Sequence, residues 1–107
     1  MSQEDLKASI CREALLICND RIESKARVTL PQIMDSTKAQ LEWLISYFET
    51  GTGDRAGLFN LTFGHFAARE IDESDRELIE ALNKAFYVAV RTREGLKVDL
   101  NVLGTNS

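Results

Sequence analysis

Residues 74–95 read SDRELIEALNKAFYVAVRTREG, and this stretch decides the fold class. Leu78, Leu82, Ala85, Phe86 and Ala89 recur at three- and four-residue spacing, the repeat of one helix face. Ser74 stands three residues before Glu77, an S-x-x-E pattern whose side chains can satisfy the free N–H groups of a helix start. Gly95 lies just past the stripe, where a residue without a Cβ ends a helix at little cost. Start, stripe and stop agree on one helix.

Working outward, the same reading finds three more. Leu6, Ile10, Cys11, Ala14, Ile17, Cys18 and Ile22 mark a first helix over about 3–25, capped by Ser2 with Asp5 three positions on. A second runs from about 30 to 50 with Met34, Leu41, Leu44, Ile45 and Phe48 as its core stripe. Thr29 and Gln32 form a T-x-x-Q capping pattern there, and Pro31 sits in the first turn, where its missing N–H costs nothing. Gly51 to Gly57 is the one clear loop. A shorter helix is expected over about 58–70, with Phe59, Phe63, Phe66 and Ala67 on one face. Gly64 weakens it, and a strand competes over 58–63, but residues 67–70 continue the helical character without a break. Leu96 to Leu100 alternate in polarity and are expected to lie extended across the bundle. The last residues, Gly104 to Ser107, are expected to be loose. The chain therefore reads as all-α, a small bundle of about four helices with a short extended C-terminal tail, forming one domain over 1–107.

Composition narrows the function. The 107 residues are 44% hydrophobic and 28% charged, the balance of a folded globular protein. The formal net charge of -4 argues against a nucleic-acid partner, which calls for clustered Lys and Arg. It suits a basic protein surface better. No apolar run is long enough for a membrane span, and the acidic N-terminus lacks the features of a signal peptide. A cytoplasmic protein is expected. Cys11 and Cys18 fall on one helix face two turns apart, roughly 10.5 Å of rise, too far for a mutual disulfide or a shared metal. They read as small buried apolar groups.

Catalytic machinery is not legible. His65 is the only histidine, and Thr62 and Glu70 beside it form no recognisable nucleophile–base motif. The glycine-rich loop 51–57 lacks the order of a phosphate loop. Residues 70–77 carry five acids in eight positions. No calcium-loop spacing is present, so neither a metal nor a cofactor is expected. Acids at a helix N-terminus are also favoured by its dipole, at about 0.3–1 kcal/mol each. The run is thus a helix start, an acidic patch aimed at a basic partner, or both.

The aromatic residues off the core stripes bear on binding. Wheel geometry at about 100° per residue sets Trp43 and Tyr47 away from the second helix's stripe, with Ser36 and Gln40. It sets Tyr87 opposite Leu78, Leu82 and Ala89, beside Glu80, Lys84 and Arg91. Such rings either pack on a neighbouring helix or the tail, or meet a partner, since Trp, Tyr and Arg dominate interface hot spots. A homodimer seam is one form of the latter.

Two stretches carry a family resemblance: residues 61–75, LTFGHFAAREIDESD, and residues 85–100, AFYVAVRTREGLKVDL. They resemble a bacterial immunity-protein family that protects cells from type VI secretion effectors hydrolysing NAD(P)+. The pattern is roughly L-T-x-G-x-x-A-x-[KR]-E-[FI]-[DE]-E-[ST]-D, then x-Y-x-V/A-x-R and G-L-K-V-D-L. This chain departs from it in Arg76, where proline is expected, and in the extension after Leu100. The resemblance implies a small helical, non-enzymatic inhibitor. It would bind a cognate secreted toxin domain and occlude its NAD(P)+-binding cleft, with Arg69, Glu70, Asp72, Glu73, Asp75, Tyr87 and Arg91 at matching motif positions. Together with Trp43 and Tyr47 these are the candidate partner-binding residues. The competing readings are a helical adaptor or regulatory domain without a toxin partner, and a small enzyme built on the acidic run and His65.

Overall fold

The computed structural model describes residues 2–24, 29–51 and 53–103. Helix α1 spans Gln3–Glu23, α2 Pro31–Thr50, α3 Phe63–Arg69 and α4 Arg76–Arg93, with a 3-10 helix at Arg55–Asn60 and a final helical turn, α5, at Leu100–Leu103. The fold is all-α, with no strand among the described residues. Helix α1 packs against α2 and α4, while α3 packs against α4 and α2, which closes the bundle. One cluster fills its centre: Cys11, Ala14 and Cys18 of α1, Met34, Leu41 and Leu44 of α2, Phe63 of α3, and Leu78, Leu82 and Ala85 of α4. The predicted stripes of α2 and α4 point inward as expected, apart from Phe86, which is only half-buried.

The helix ends correct the sequence reading in three places. Ser2 caps α1 as expected, its hydroxyl accepting from the Asp5 N–H at 3.1 Å. Thr29 does not cap α2, however. The flanking residue is Leu30, with no side-chain cap, and the Thr29 hydroxyl accepts instead from the Asp72 N–H at 3.0 Å. That bond ties the start of α2 to the turn before α4. At α4 the cap is Asp75, one residue beyond Ser74, and its Oδ1 accepts from the Leu78 N–H. The Ser74 hydroxyl instead donates to Asp72 Oδ1 at 2.6 Å. Both hydroxyls find partners outside their own helix start: Thr29 across the bundle and Ser74 within the preceding turn.

The third correction concerns residues 58–70, which do not form one helix. The chain is a 3-10 helix to Asn60, turns extended at Leu61, and restarts as α3 at Phe63. Gln40 of α2 explains the restart. Its Oε1 accepts from the N–H groups of Thr62 and Phe63, at 2.7 and 3.0 Å, and its Nε2 donates to the Thr62 hydroxyl. A side chain from another helix thus satisfies donors that a helix start leaves free. The break rotates residue 59 off the face of residues 63–67. Phe59 is therefore 63% exposed, while Phe63 and Ala67 are buried.

The tail behaves as expected over 96–99, then closes in the single turn of α5. Val98 and Leu103 are buried against the bundle. Gly95, at φ 74°, makes the turn out of α4. The expectation for Gly104 to Ser107 falls outside the described residues.

Candidate partner-binding face

Packing α1 beside α4 leaves a groove between them. Its floor is apolar, from Ile10, Ile17, Ala81 and Leu103, and its walls carry Glu13, Glu77, Glu80 and Lys84. It encloses about 430 Å³. A second hollow of about 530 Å³ shares Ile17 and Glu77 with it and adds Leu16, Asn19, Asp20, Arg21 and Glu23. The two form one continuous face with a surplus of carboxylates. Leu16, which lines the second hollow only, is 71% exposed on the opposite side of α1 from Cys11, Ala14 and Cys18.

Arg21 organises the upper end of this face. Its guanidinium donates to Asp75 from Nε (2.9 Å) and Nη2 (3.2 Å), to Glu77 from Nη2 (2.7 Å) and to Asp20 from Nη1 (2.6 Å). The hydrogen bond to Asp75, then that to Glu77, holds the guanidinium still further from deprotonation than usual. Asp75 is thereby both the cap of α4 and the bond between α4 and α1. An ion pair on a surface contributes little, about 0–1 kcal/mol, but a planar guanidinium held by three carboxylates fixes geometry. Glu13, Glu23 and Glu80 have no ion-pair partner among the described residues.

The lower end of the face is closed by the tail. The Arg91 Nε donates to the Lys97 carbonyl at 2.7 Å, the Tyr87 hydroxyl accepts from the Asp99 N–H at 3.1 Å, and Gln3 Oε1 accepts from the Val98 N–H at 3.2 Å. The Arg91 guanidinium also lies 5.9 Å from the centre of the Tyr87 ring. These three contacts seat Leu103 at the end of the groove.

His65 is exposed and lies edge-on to Phe86, with ring centres 6.0 Å apart. Among the described residues no three His, Cys, Asp or Glu side chains converge as metal ligands. The Cys11 and Cys18 thiols are buried and free. Burial pushes them up to about 12 and about 11.

Comparison with known proteins assigns the architecture to a family. The Tsi6 family model matches residues 7–91, from α1 nearly to the end of α4. This chain belongs to the Tsi6 family. It is 41% identical over 87 residues to the Immune protein Tsi6 of Pseudomonas aeruginosa, a match covering 81% of this chain and 89% of that relative. It also matches the solved structure of Tse6 in complex with Tsi6, with a TM-score of 0.77 and 35% identity over 87% of this chain and 96% of the matched one. Both walls of the α1–α4 groove lie within the stretch matched by the Tsi6 family; the tail beyond residue 91 lies outside it.

The structure divides the sequence-predicted residues into three groups. Asp75 lies at the upper end of the groove, held by Arg21, and Asp72 shapes the preceding turn, accepting from the Ser74 N–H and hydroxyl. Those two bonds, the hydroxyl first, hold the Asp72 carboxyl below its usual range. Arg69, Glu70 and Glu73 are exposed around that turn. Tyr87 and Arg91 are half-buried and hold the tail. Trp43 and Tyr47 line no part of the groove. They stack on each other, ring centres 5.4 Å apart, and lie half-buried beneath the loop and 3-10 helix. A Cβ at Gly57 would fall 2.5 Å from the Trp43 ring, and one at Gly53 would fall 3.2 Å from Tyr47. Of the two readings of these rings, packing within the chain is met in part: the 53–61 segment lies against both, while each stays half-exposed and Trp43 lines a shallow hollow with Gln40, Gly57 and Leu61. What sequence reasoning missed is α1's outer face. The available signal was Leu16, off the stripe, with Glu13, Asp20 and Glu23 three before and four and seven after it.

Proposed function

We propose that this chain is an immunity protein that binds and occludes the active site of a cognate secreted NAD(P)+-degrading toxin. It would act in the bacterial cytoplasm and protect the producer and its kin. The observation that carries this reading is membership of the Tsi6 family, with 41% identity to a protein named for immunity and a structural match to a toxin–immunity complex. The surface supports it. A cleft that holds dinucleotide phosphates needs positive charge, and this chain offers net negative charge with carboxylates gathered on one face. Complementary charge speeds encounter, which matters when a toxin must be caught before it depletes a cofactor pool. Inhibition by occlusion asks no chemistry of the inhibitor. Among the described residues, no helix is long and apolar enough to cross a membrane.

The test is co-expression with the toxin domain encoded beside this gene. The account expects a co-purifying complex and rescued growth of cells producing the toxin. Growth arrest unchanged by this chain, with no complex recovered, overturns the reading.

A further inference from the structure

The immunity reading leaves open which side of the bundle meets the toxin, and the inference here rests on that reading. We propose that the toxin is received on the α1–α4 face, with Leu16 of the second hollow as an apolar contact and Glu13, Glu77 and Glu80 of the adjoining groove as its acidic contacts. The complementary toxin surface would carry Arg or Lys side chains about an apolar contact. Four observations select this face and this chemistry.

First, Leu16 is the most exposed large apolar side chain among the described residues, and it lines a hollow together with Ile17 rather than standing alone. An apolar centre ringed by polar groups is the anatomy of a protein interface. Second, Glu13 and Glu80 face the groove with no ion-pair partner among the described residues, so a cation brought by a partner displaces no internal bond. Third, the face already shows what it binds. Arg21 lies in it, taken by Asp20, Asp75 and Glu77 at 2.6–3.2 Å. A second guanidinium meeting Glu13 or Glu80 would repeat that chemistry further along the groove. Fourth, the exposed Phe59 is already attended by cations. The Arg93 guanidinium lies 5.2 Å over the Phe59 ring, and Arg55 donates to the Arg93 carbonyl, so the apolar contact there is flanked by cations. Two cationic surfaces repel, which makes it a poor match for a phosphate-binding cleft.

The experiment measures binding of the purified neighbouring toxin domain to the full chain at low and moderate salt. The variants are Leu16→Asp, the pair Glu13→Lys and Glu80→Lys, and Phe59→Ser as the opposite-face comparison. All four side chains are exposed, and unchanged helical circular dichroism verifies folding. Leu16→Asp is expected to weaken affinity by about 10–100-fold. The charge-reversed pair is expected to slow association by about 10-fold or more and to flatten its salt dependence. Phe59→Ser is expected to bind like the parent chain. If the parent binds and the first two variants bind equally well, or Phe59→Ser alone loses affinity, the face is wrong while the immunity reading stands. If Leu16→Asp instead dissociates a homodimer and leaves toxin binding intact, the face belongs to a second copy and the proposal falls. A parent chain that binds no toxin removes the immunity reading itself.

Discussion

Replacing Gly64 by alanine sets helix propensity against packing, and the structure says which wins. Gly64 lies in the first turn of α3, where alanine is intrinsically favoured by at most about 1 kcal/mol. Propensity alone therefore predicts a more stable protein. A Cβ on Gly64, however, would sit 2.4 Å from Cδ2 and Cγ of Phe86, about 1 Å inside the 3.4 Å limit of ordinary contact. The ring cannot give way without loss. It is held edge-on to Phe63, centres 5.2 Å apart and planes at 89°, and Phe63 is fully buried. Forcing an extra methyl into a packed site costs about 1–3 kcal/mol. The net is a destabilisation of about 1–2 kcal/mol, a fall of roughly 5–15 °C in Tm for a domain of this size. Thermal unfolding followed by circular dichroism reads it, and combining Gly64→Ala with Phe86→Leu should recover part of the loss. A Gly64→Ala protein as stable as the parent, or more so, would refute the claim that α3 and α4 are this close.

Three further outcomes follow from the same geometry. Cys11 and Cys18 should resist a thiol-specific reagent at pH 8 in the folded protein and both react in denaturant, because burial keeps them protonated; their raised values, about 12 and about 11, mean that this contribution is lost only as pH climbs above the ordinary 9.0 toward those values. Rapid labelling of the native protein would contradict it. Ser74→Ala should move the Asp72 carboxyl up toward its ordinary 3.8 in an NMR titration, since the lost hydroxyl is the larger cause of its depression. A depressed carboxyl favours the folded state above 3.8 and ceases to do so as pH falls through its lower folded value, so the variant should lose less on acidification. Trp43→Ala should lower stability by about 2 kcal/mol, below the range for a fully buried ring because Trp43 is half-exposed, and leave toxin affinity unchanged. A stable variant that no longer binds toxin would return Trp43 to the interface.

The bundle was legible because its information is periodic. The stripes of α2 and α4 need only apolar residues every three or four positions, and Met34 through Phe48 and Leu78 through Ala89 supply them. What was not legible depends on residues far apart in the chain. Gln40 starts α3 from a different helix, and Thr29 serves a turn 43 residues away. Local capping patterns cannot anticipate such partners. The candidate face was hidden for a related reason. Trp43, Tyr47 and Tyr87 were picked out as rings off their own helices' stripes, but a wheel describes one helix and omits the 3-10 helix and tail that cover them. Leu16 carried the opposite lesson: on a helix whose inner face is filled by small residues such as Ala14 and Cys18, a leucine on the outside stays outside.

The central claim is that this chain silences an enzyme by sitting in its cleft. The direct measurement is NAD(P)+ consumption by the purified neighbouring toxin domain, titrated with this protein. The account predicts a linear loss of activity ending at one equivalent, with the nucleotide itself left intact by this chain alone. Undiminished NAD(P)+ consumption at several-fold molar excess would contradict it.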